Sequence, residues 1–405
     1  MTFRVALSGL NAASTDLSVT ANNIANSATS GFKSSRTEFA SLFAVSSQGA
    51  TSTQSGAGVR VSNIAQQFSQ GNIDFTDSSL DLAVSGQGFF ILSEGGALSY
   101  TRAGAFQLDR DGYVVNAQGK RLQVFEPSPT GGFNTGSLGD LRLLTGESPP
   151  NATTLVETIA NLPANASPPA SATFDPADST SYNAATSLTV YDSLGAAHTA
   201  TLYFVKTPAP NEWTTRLFID GTAVGGAEVL QYSDTGQLVS PAGGDIAFPA
   251  YVPTTGAAAM NLTFDFAQTT QYGQNFAVNS ITQDGYTTGR LIGMDIDATG
   301  VVQARYTNGR SLPLGQVALA NFANPQGLQQ LGDTNWAETF TSGQALRGQA
   351  GNSGFGLMQS GALEASNVDI TEQLVNMITS QRNFQANAQM LSTYDQITQT
   401  VINIR

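Results

Sequence analysis

The chain opens with apolar residues spaced alternately four and three apart: Phe3, Leu7, Leu10, Ser14, Leu17, Ala21 and Ile24, with Ser14 the one polar member. That spacing marks an α-helix burying one narrow face. The same signature closes the chain at Ile370, Leu374, Met377, Gln381, Phe384, Ala388 and Leu391, and runs on through Tyr394, Ile397, Val401 and Ile404. The step from Leu391 to Tyr394 is three where four is due, a stammer in the repeat. Asn367 or Asp369 could cap the start of this second helix. Between the ends the pattern changes to short alternating runs, such as "YVVNAQGKRLQVF" and "SLTVYDSLGAAHTATLYFVK". They are punctuated by Asp111-Gly112, Gln118-Gly119, Asp220-Gly221, Asp284-Gly285, Thr299-Gly300 and Asn308-Gly309. Asp-Gly and Asn-Gly readily supply the positive φ angles of tight hairpins, so the middle reads as β. The expected fold is mainly β with α-helical termini that form a coiled-coil-like pair.

The first helix stops at "NNIANSATSGFK", Asn22 to Lys33. Asn26, Ser27 and Thr29 can bond to nearby backbone groups and compete with the helix. Gly31 permits a sharp turn, and Phe32 and Lys33 are expected to anchor on a neighbour. Residues 28–73 then read as extended and linker-like. Residues 146–185 are rich in Pro, Ala, Ser and Thr, the irregular entry to a separate domain. A nested arrangement accounts for these shifts. Residues 1–27 with 362–405 make an inner helical part, and 28–73 with 358–361 make a linker. Residues 74–145 with 282–357 make a β-rich middle domain, into which residues 146–281 are inserted as a second β domain.

Charge supports the division. The net charge is −13, and 146–281 holds eleven acids against Lys206 and Arg216 alone. An acidic middle between nearly neutral ends suggests a solvated outer domain. It offers no basic stripe for nucleic acid. Charged residues are only 12% of the chain, and between Thr2 and Ile24 only Arg4 and Asp16 are charged. Solvent-facing helices usually carry more, so these faces suit contact with other protein. A lone helix of about 20 residues is marginal in water, so both ends could be disordered in a single copy and order on assembly.

The chemistry is sparse. Without cysteine, disulfides and thiolate metal sites are excluded. The one histidine, His198, sits in an expected strand, where a structural role is favoured over a metal site. "DIDATG", Asp295–Gly300, opens like a calcium loop, but Tyr306 stands where the twelfth-position Glu belongs, so a β-turn is expected. "DRDG", Asp109–Gly112, reads as a hairpin, and "GNSGFG", Gly351–Gly356, as a flexible joint rather than a nucleotide loop. Asp74, Asp77 and Asp81 are explained by a turn-rich entry to the β domain. No catalytic, metal or cofactor-binding residue is expected, and no apolar run is long enough for a membrane span. Ser8, Gly9 and Asn11 interrupt the N-terminal apolar run, which makes a poor cleavable signal peptide.

Two long stretches carry a family resemblance. "SGLNAASTDLSVTANNIANSATSGFK", Ser8–Lys33, resembles the N-terminal signature of the bacterial flagellar rod and hook proteins. "GALEASNVDITEQLVNMITSQRNFQANAQML", Gly361–Leu391, resembles their C-terminal signature. "LDLAVSGQGFFIL", Leu80–Leu92, is similar to the start of their shared β domain, and "YDSLGAAHTATLYFVK", Tyr191–Lys206, to the outer domain of the hook members. The insertion at 146–281 favours hook over distal rod, since rod members lack a large outer domain.

The resemblance implies a structural subunit of a curved helical tube, a universal joint carrying motor torque from rod to filament. Subunits would leave the cell through the flagellar type III export apparatus and lie outside it in the hook. Implied partners are further copies of the chain, the distal rod protein, the hook cap and the hook–filament junction proteins. The stripe of Phe3, Leu7, Leu10, Leu17 and Ile24 would meet that of Leu374, Met377, Ile378, Phe384, Leu391, Ile397 and Val401 and hold the tube axially. Asn22, Asn23, Asn26, Thr29, Gly31, Phe32, Lys33, Gly361, Leu363 and Asn367 would form the joint below it. A surface adhesin with coiled-coil ends and a carbohydrate-active enzyme with acidic pairs are the readings from other classes.

Overall fold

The computed structural model describes residues 2–42, 56–128, 131–143 and 146–403, without the side chains of Thr2, Val401 and Asn403. The chain divides into two compact units. One comprises Met1–Leu144, Gly293–Arg305 and Ser311–Arg405, the other Thr145–Ile292 and Tyr306–Arg310.

In the first unit, helix α1 spans Thr2–Ala25 and helix α2 spans Ile370–Asn403. Asp369 caps α2: its Oδ1 accepts the backbone N–H of Thr371 at 2.8 Å and of Glu372 at 3.2 Å. Strands β1 (Ser35–Leu42) and β2 (Gly58–Gln66) pair antiparallel, from Ser35 opposite Gln66 to Leu42 opposite Gly58. This stretch is extended, as its sequence suggests, but it is a ladder rather than a free linker. It also packs on α1, where Ser8 Oγ accepts the Val59 N–H at 3.2 Å. Residues 43–55 of the expected linker lie outside the described residues.

The rest of this unit is a sheet whose centre pairs Ser311–Asn321 with Arg121–Pro127 and Phe89–Glu94, and Phe89–Glu94 with Ala97–Thr101. Its core gathers Phe89, Ile91, Tyr100, Phe125, Phe322 and Trp336. Phe89 meets Phe68, Phe322 and Trp336 edge to face, with centroids 5.6–5.9 Å apart, a favoured aromatic geometry. Trp336 Nε1–H donates to Gln66 Oε1 at 2.6 Å, so the end of β2 is fastened to this core.

The second unit is two sheets over one core. Ala184–Tyr191, Ala197–Lys206, Glu212–Ile219, Thr222–Tyr232 and Leu238–Ser240 form an antiparallel run. Along Ala197–Lys206 every second residue is buried, the period-two pattern of a strand with one face inward. The other sheet is built on Leu155–Pro163, which pairs parallel with Thr263–Asp265 and Thr270–Tyr272 and antiparallel with Ala277–Gln283. Trp213, Phe204, Phe264, Phe266, Leu202 and Val156 are fully buried where the sheets meet.

The turns follow the dipeptides with one exception. Asp220 and Gly221 adopt φ of 50° and 78° between Ile219 and Thr222, a two-residue hairpin. Asp297 Oδ1 accepts the N–H groups of Thr299 and Val301, which makes "DIDATG" a turn between strands. Asp284-Gly285 is not a hairpin. Asp284 instead receives N–H bonds from Thr154 and Leu155. A Cβ on Gly285 would come within 2.2 Å of Thr153 Oγ1, so close approach, not turning, requires the glycine.

His198 lies buried between two carboxylates. Its Nδ1 is 2.6 Å from Asp220 Oδ2 and its Nε2 3.3 Å from Asp192 Oδ2, and Asp192 also accepts the Thr255 hydroxyl at 2.9 Å. Burial alone disfavours the imidazolium, but the hydrogen bonds and charges of Asp220 and Asp192 outweigh it and raise the pKa. In the imidazolium form both ring nitrogens would donate, one to each carboxylate.

Candidate functional site: the helical ends and their joint

α1 and α2 pack antiparallel. The contacts run in opposite order along the two helices. Asn23 Nδ2–H donates to Gln373 Oε1 at 3.1 Å, and Ser380 Oγ–H to Asp16 Oδ2 at 2.5 Å. Asn387 lies against Gly9, where a Cβ would sit 2.5 Å from its Oδ1, and Tyr394 lies 6.0 Å from Phe3, ring to ring. On α1 the seam is therefore Ala6, Gly9, Ala13, Asp16, Thr20 and Asn23, itself spaced three and four apart but made of small and polar residues. Ala6, Ala13, Thr20 and Asn23 are buried there. Small side chains let the two backbones approach closely.

The apolar stripe expected to form this seam lies one residue around the helix. Phe3 and Leu7 remain 40% exposed, and Leu10, Leu17 and Ile24 are half-buried. On α2, Met377, Phe384 and Leu391 are half-buried, with Ser380 fully buried between them. Leu374, Ile378 and Ile397 point away at 45%, 50% and 57% exposure. Within one chain the two large apolar stripes thus do not meet as a whole, since the smaller neighbouring face of α1 takes the contact. The side chain of Val401 lies outside those described.

The joint is closed by local bonds first. Asn26 Nδ2–H donates to the Asn22 carbonyl at 3.0 Å, and Thr29 Oγ1–H to Asn26 Oδ1 at 3.3 Å. Asn22 itself is exposed. Asn23 reaches further: it exchanges two hydrogen bonds with the Ser35 backbone, at 2.8 and 2.9 Å, besides its bond to Gln373. Gly31 has φ of +70°, and a Cβ there would sit 2.3 Å from the Ala103 backbone nitrogen. Phe32 is half-buried.

Lys33 does not reach for another molecule. It is fully buried, 2.5 Å from Glu364 Oε1, and also donates to the Ser69 carbonyl at 2.8 Å. Glu364 receives Arg102 on Oε2 at 3.2 Å and the Gly71 N–H on Oε1 at 2.9 Å. Burial pushes the Lys33 ammonium and the Arg102 guanidinium below their ordinary pKa values, against the pull of Glu364. One carboxylate therefore holds two cations from distant segments. Removing it would strand both charges in the interior.

Asn367 completes the clasp. It accepts the Ser34 N–H at 2.7 Å and donates to the Gln67 carbonyl at 2.7 Å. Leu363 pairs opposite Asp74, and the Gly361 carbonyl accepts the Thr76 N–H at 2.7 Å. Arg102 and Ser69 lie outside the stretches that carry the family resemblance, and Glu364, though inside one, is not singled out by it. A buried ion triad between segments hundreds of residues apart leaves no local pattern to find.

The terminal helices pair through small and polar residues and leave Phe3, Leu7, Leu374, Ile378 and Ile397 exposed, the surface of a protein that associates. Four family models match along the chain. They are "Flagella basal body rod protein" over residues 3–33, "Flagellar hook protein FlgE/F/G D1 domain" over 83–166, "Flagellar basal body protein FlaE D2 domain" over 161–286 and "Flagellar basal body rod FlgEFG protein C-terminal" over 359–404. The chain is 40% identical to the flagellar hook protein FlgE of Salmonella typhimurium over 419 aligned positions, covering 100% of both. It is 36% identical to that of Borreliella burgdorferi, covering 98% of both. The crystal structure of Helicobacter pylori flagellar hook protein FlgE2 shares the fold at a TM-score of 0.55 and 14% identity, covering 72% of this chain and 100% of that one. The chain belongs to the flagellar hook protein family. It is a structural subunit of the bacterial flagellar hook and not an enzyme, and neither the adhesin nor the hydrolase reading is favoured.

Proposed function

We propose that copies of this chain pack side by side through the uncovered stripes of α1 and α2 to form the wall of a curved, flexible tube that transmits torque as a universal joint. The observation that carries this is the exposure of Phe3, Leu7, Leu374, Ile378 and Ile397 beside a seam already filled by small residues. Each such side chain contributes ~1.5–3 kcal/mol when fully buried, and the chain's own helices leave much of that unrealised. In this reading the inner wall is 1–27 with 362–405. The extended linker region is 28–73 with 358–361, the middle domain is 74–145 with 282–357, and the acidic outer domain is 146–281. Export through the flagellar type III apparatus fits a chain without cysteine. The distal rod protein, the hook cap and the junction proteins would meet the two ends of the polymer.

The test is a Leu7→Asp, Ile378→Asp double variant. Its monomer should melt like the parent, since both positions are exposed, while electron microscopy should show no tubes. Normal tubes would overturn the packing assignment. A single Leu10→Asp, at a half-buried position, should likewise block tubes.

A further inference from the structure

In the outer unit, Asp245–Ala247 and Thr263–Asp265 pair antiparallel, and the chain between them runs out as an arm. Tyr251 and Met260 exchange backbone hydrogen bonds at 3.0 and 2.8 Å, which close the arm below its tip. Within the tip, 252–259, only Pro253 and Ala257 are buried. Polar bonds seat it on the turn Asp192–Ala196. The Thr255 hydroxyl donates to Asp192 Oδ2 at 2.9 Å, and the Ala258 N–H to Ser193 Oγ at 2.9 Å.

Asp192 Oδ2 is the same oxygen that faces His198 Nε2. Asp192 is fully buried, and its Oδ1 is committed to the N–H groups of Leu194 and Ala196 at 2.9 and 2.8 Å. Three titratable groups face the imidazole: Asp192 from the turn, Asp220 from the next hairpin, and Tyr251 from the arm, its ring 5.9 Å away. Val190, opposite on the neighbouring strand, is apolar. Burial and the charge of Asp220 push the Tyr251 phenol above its ordinary value, so it stays neutral. Among the described residues neither carboxylate has an ion-pair partner besides His198.

Loss of the ring proton therefore turns a nitrogen lone pair toward a carboxylate. The contact to Asp220 is the shorter, 2.6 against 3.3 Å, so Nδ1 keeps its hydrogen and the lone pair falls to Nε2. A buried carboxylate without its counter-charge is strongly disfavoured. The Oδ1 bonds hold Asp192 in place, so relief has to come from water. Ala197–Lys206 and Glu212–Ile219 each have strands on both sides, whereas the tip has few buried contacts. Such segments open first.

We infer that His198 is a proton-operated latch: the imidazolium keeps the arm tip, 252–259, seated on the Asp192 turn, and the neutral ring lets it lift into solvent. Burial opposes the imidazolium, but Asp220 and Asp192 raise its pKa above 6.5. The tip is thus seated at and below that pH and lifts as pH climbs through the folded value. The latch lies within one copy and does not depend on the tube reading.

Hydrogen exchange on the unassembled full-length chain tests it, with NMR of the imidazole to follow His198. Between about pH 6 and pH 9, which brackets the imidazole titration, protection of 252–260 should fall by about tenfold or more, as loss of a buried counter-charge implies. The fall should track the His198 titration and exceed any change in 212–219. Asp220→Asn removes one charge at an exposed turn. It should move the titration and the release of the tip to lower pH together. Thr255→Val should loosen the tip at low pH and leave 212–219 unchanged. A tip that stays protected while His198 titrates, a tip that opens only together with 212–219, or a release that Asp220→Asn does not move with the titration would overturn the latch.

Discussion

The outer unit and the helical ends use similar residues to opposite effect. In the outer unit Trp213, Phe204, Phe264 and Phe266 are fully enclosed between two sheets of the same chain. At the ends, Leu7, Leu374, Ile378 and Ile397 stay 40–57% exposed, while Ala, Gly, Ser and Asn occupy the seam. The first arrangement completes its core within one molecule. The second leaves apolar area in water that only another surface can cover. Cover supplied by a further copy would add to the stability of the ends by mass action.

The contrast can be broken from either side. Trp213→Ala should destabilise the outer unit by ~3–5 kcal/mol through lost burial and a cavity, read by denaturant unfolding. Glu364→Ala should cost a comparable ~3–5 kcal/mol by stranding Lys33 and Arg102. Hydrogen exchange should then show the loss at 30–36 and 364–370 and not at 184–232. Gly31→Ala is smaller, about 1–3 kcal/mol, since positive φ and the Ala103 backbone both oppose a Cβ.

The outer unit should also depend on pH through His198. Its raised pKa adds stability that is full below the unfolded value of about 6.5 and is lost as pH rises through the folded value. Burial opposes the ionised forms of Asp192 and Asp220, yet their hydrogen bonds hold both below the carboxylate range. Their contribution is present above about pH 4 and fades in acid. Protection of amides in 184–232 should therefore peak in mildly acidic buffer, and His198→Gln should flatten the alkaline limb. The smallest effect sharpens the comparison most. Ile378→Ala should change monomer stability by no more than ~0.5 kcal/mol, yet measurably raise the concentration needed for assembly.

Much of this was legible beforehand. Both helices, the β middle and the hairpins at Asp220-Gly221 and Asn308-Gly309 follow from spacing and turn chemistry. The seam did not, because the heptad reading weighs residues by size. The face that pairs, Ala6 to Asn23, repeats with the same three- and four-residue steps but holds only small and polar side chains. Lys33 reads as an anchor for a neighbour, since no local feature ties it to Glu364, 331 positions away. The β1–β2 hairpin read as linker because its two strands are joined by a long segment rather than a tight turn.

Periodicity belongs to the chain itself, so sequence alone determined where the two helices and the strands of the β middle run and which residues on them are apolar. Which face of α1 meets α2, which carboxylate neutralises Lys33 and Arg102, and which leucines stay in water were decided only when distant segments came together. Those outcomes depend on backbone clearance and on satisfying buried charge in three dimensions. Neither constraint exists until the fold has formed.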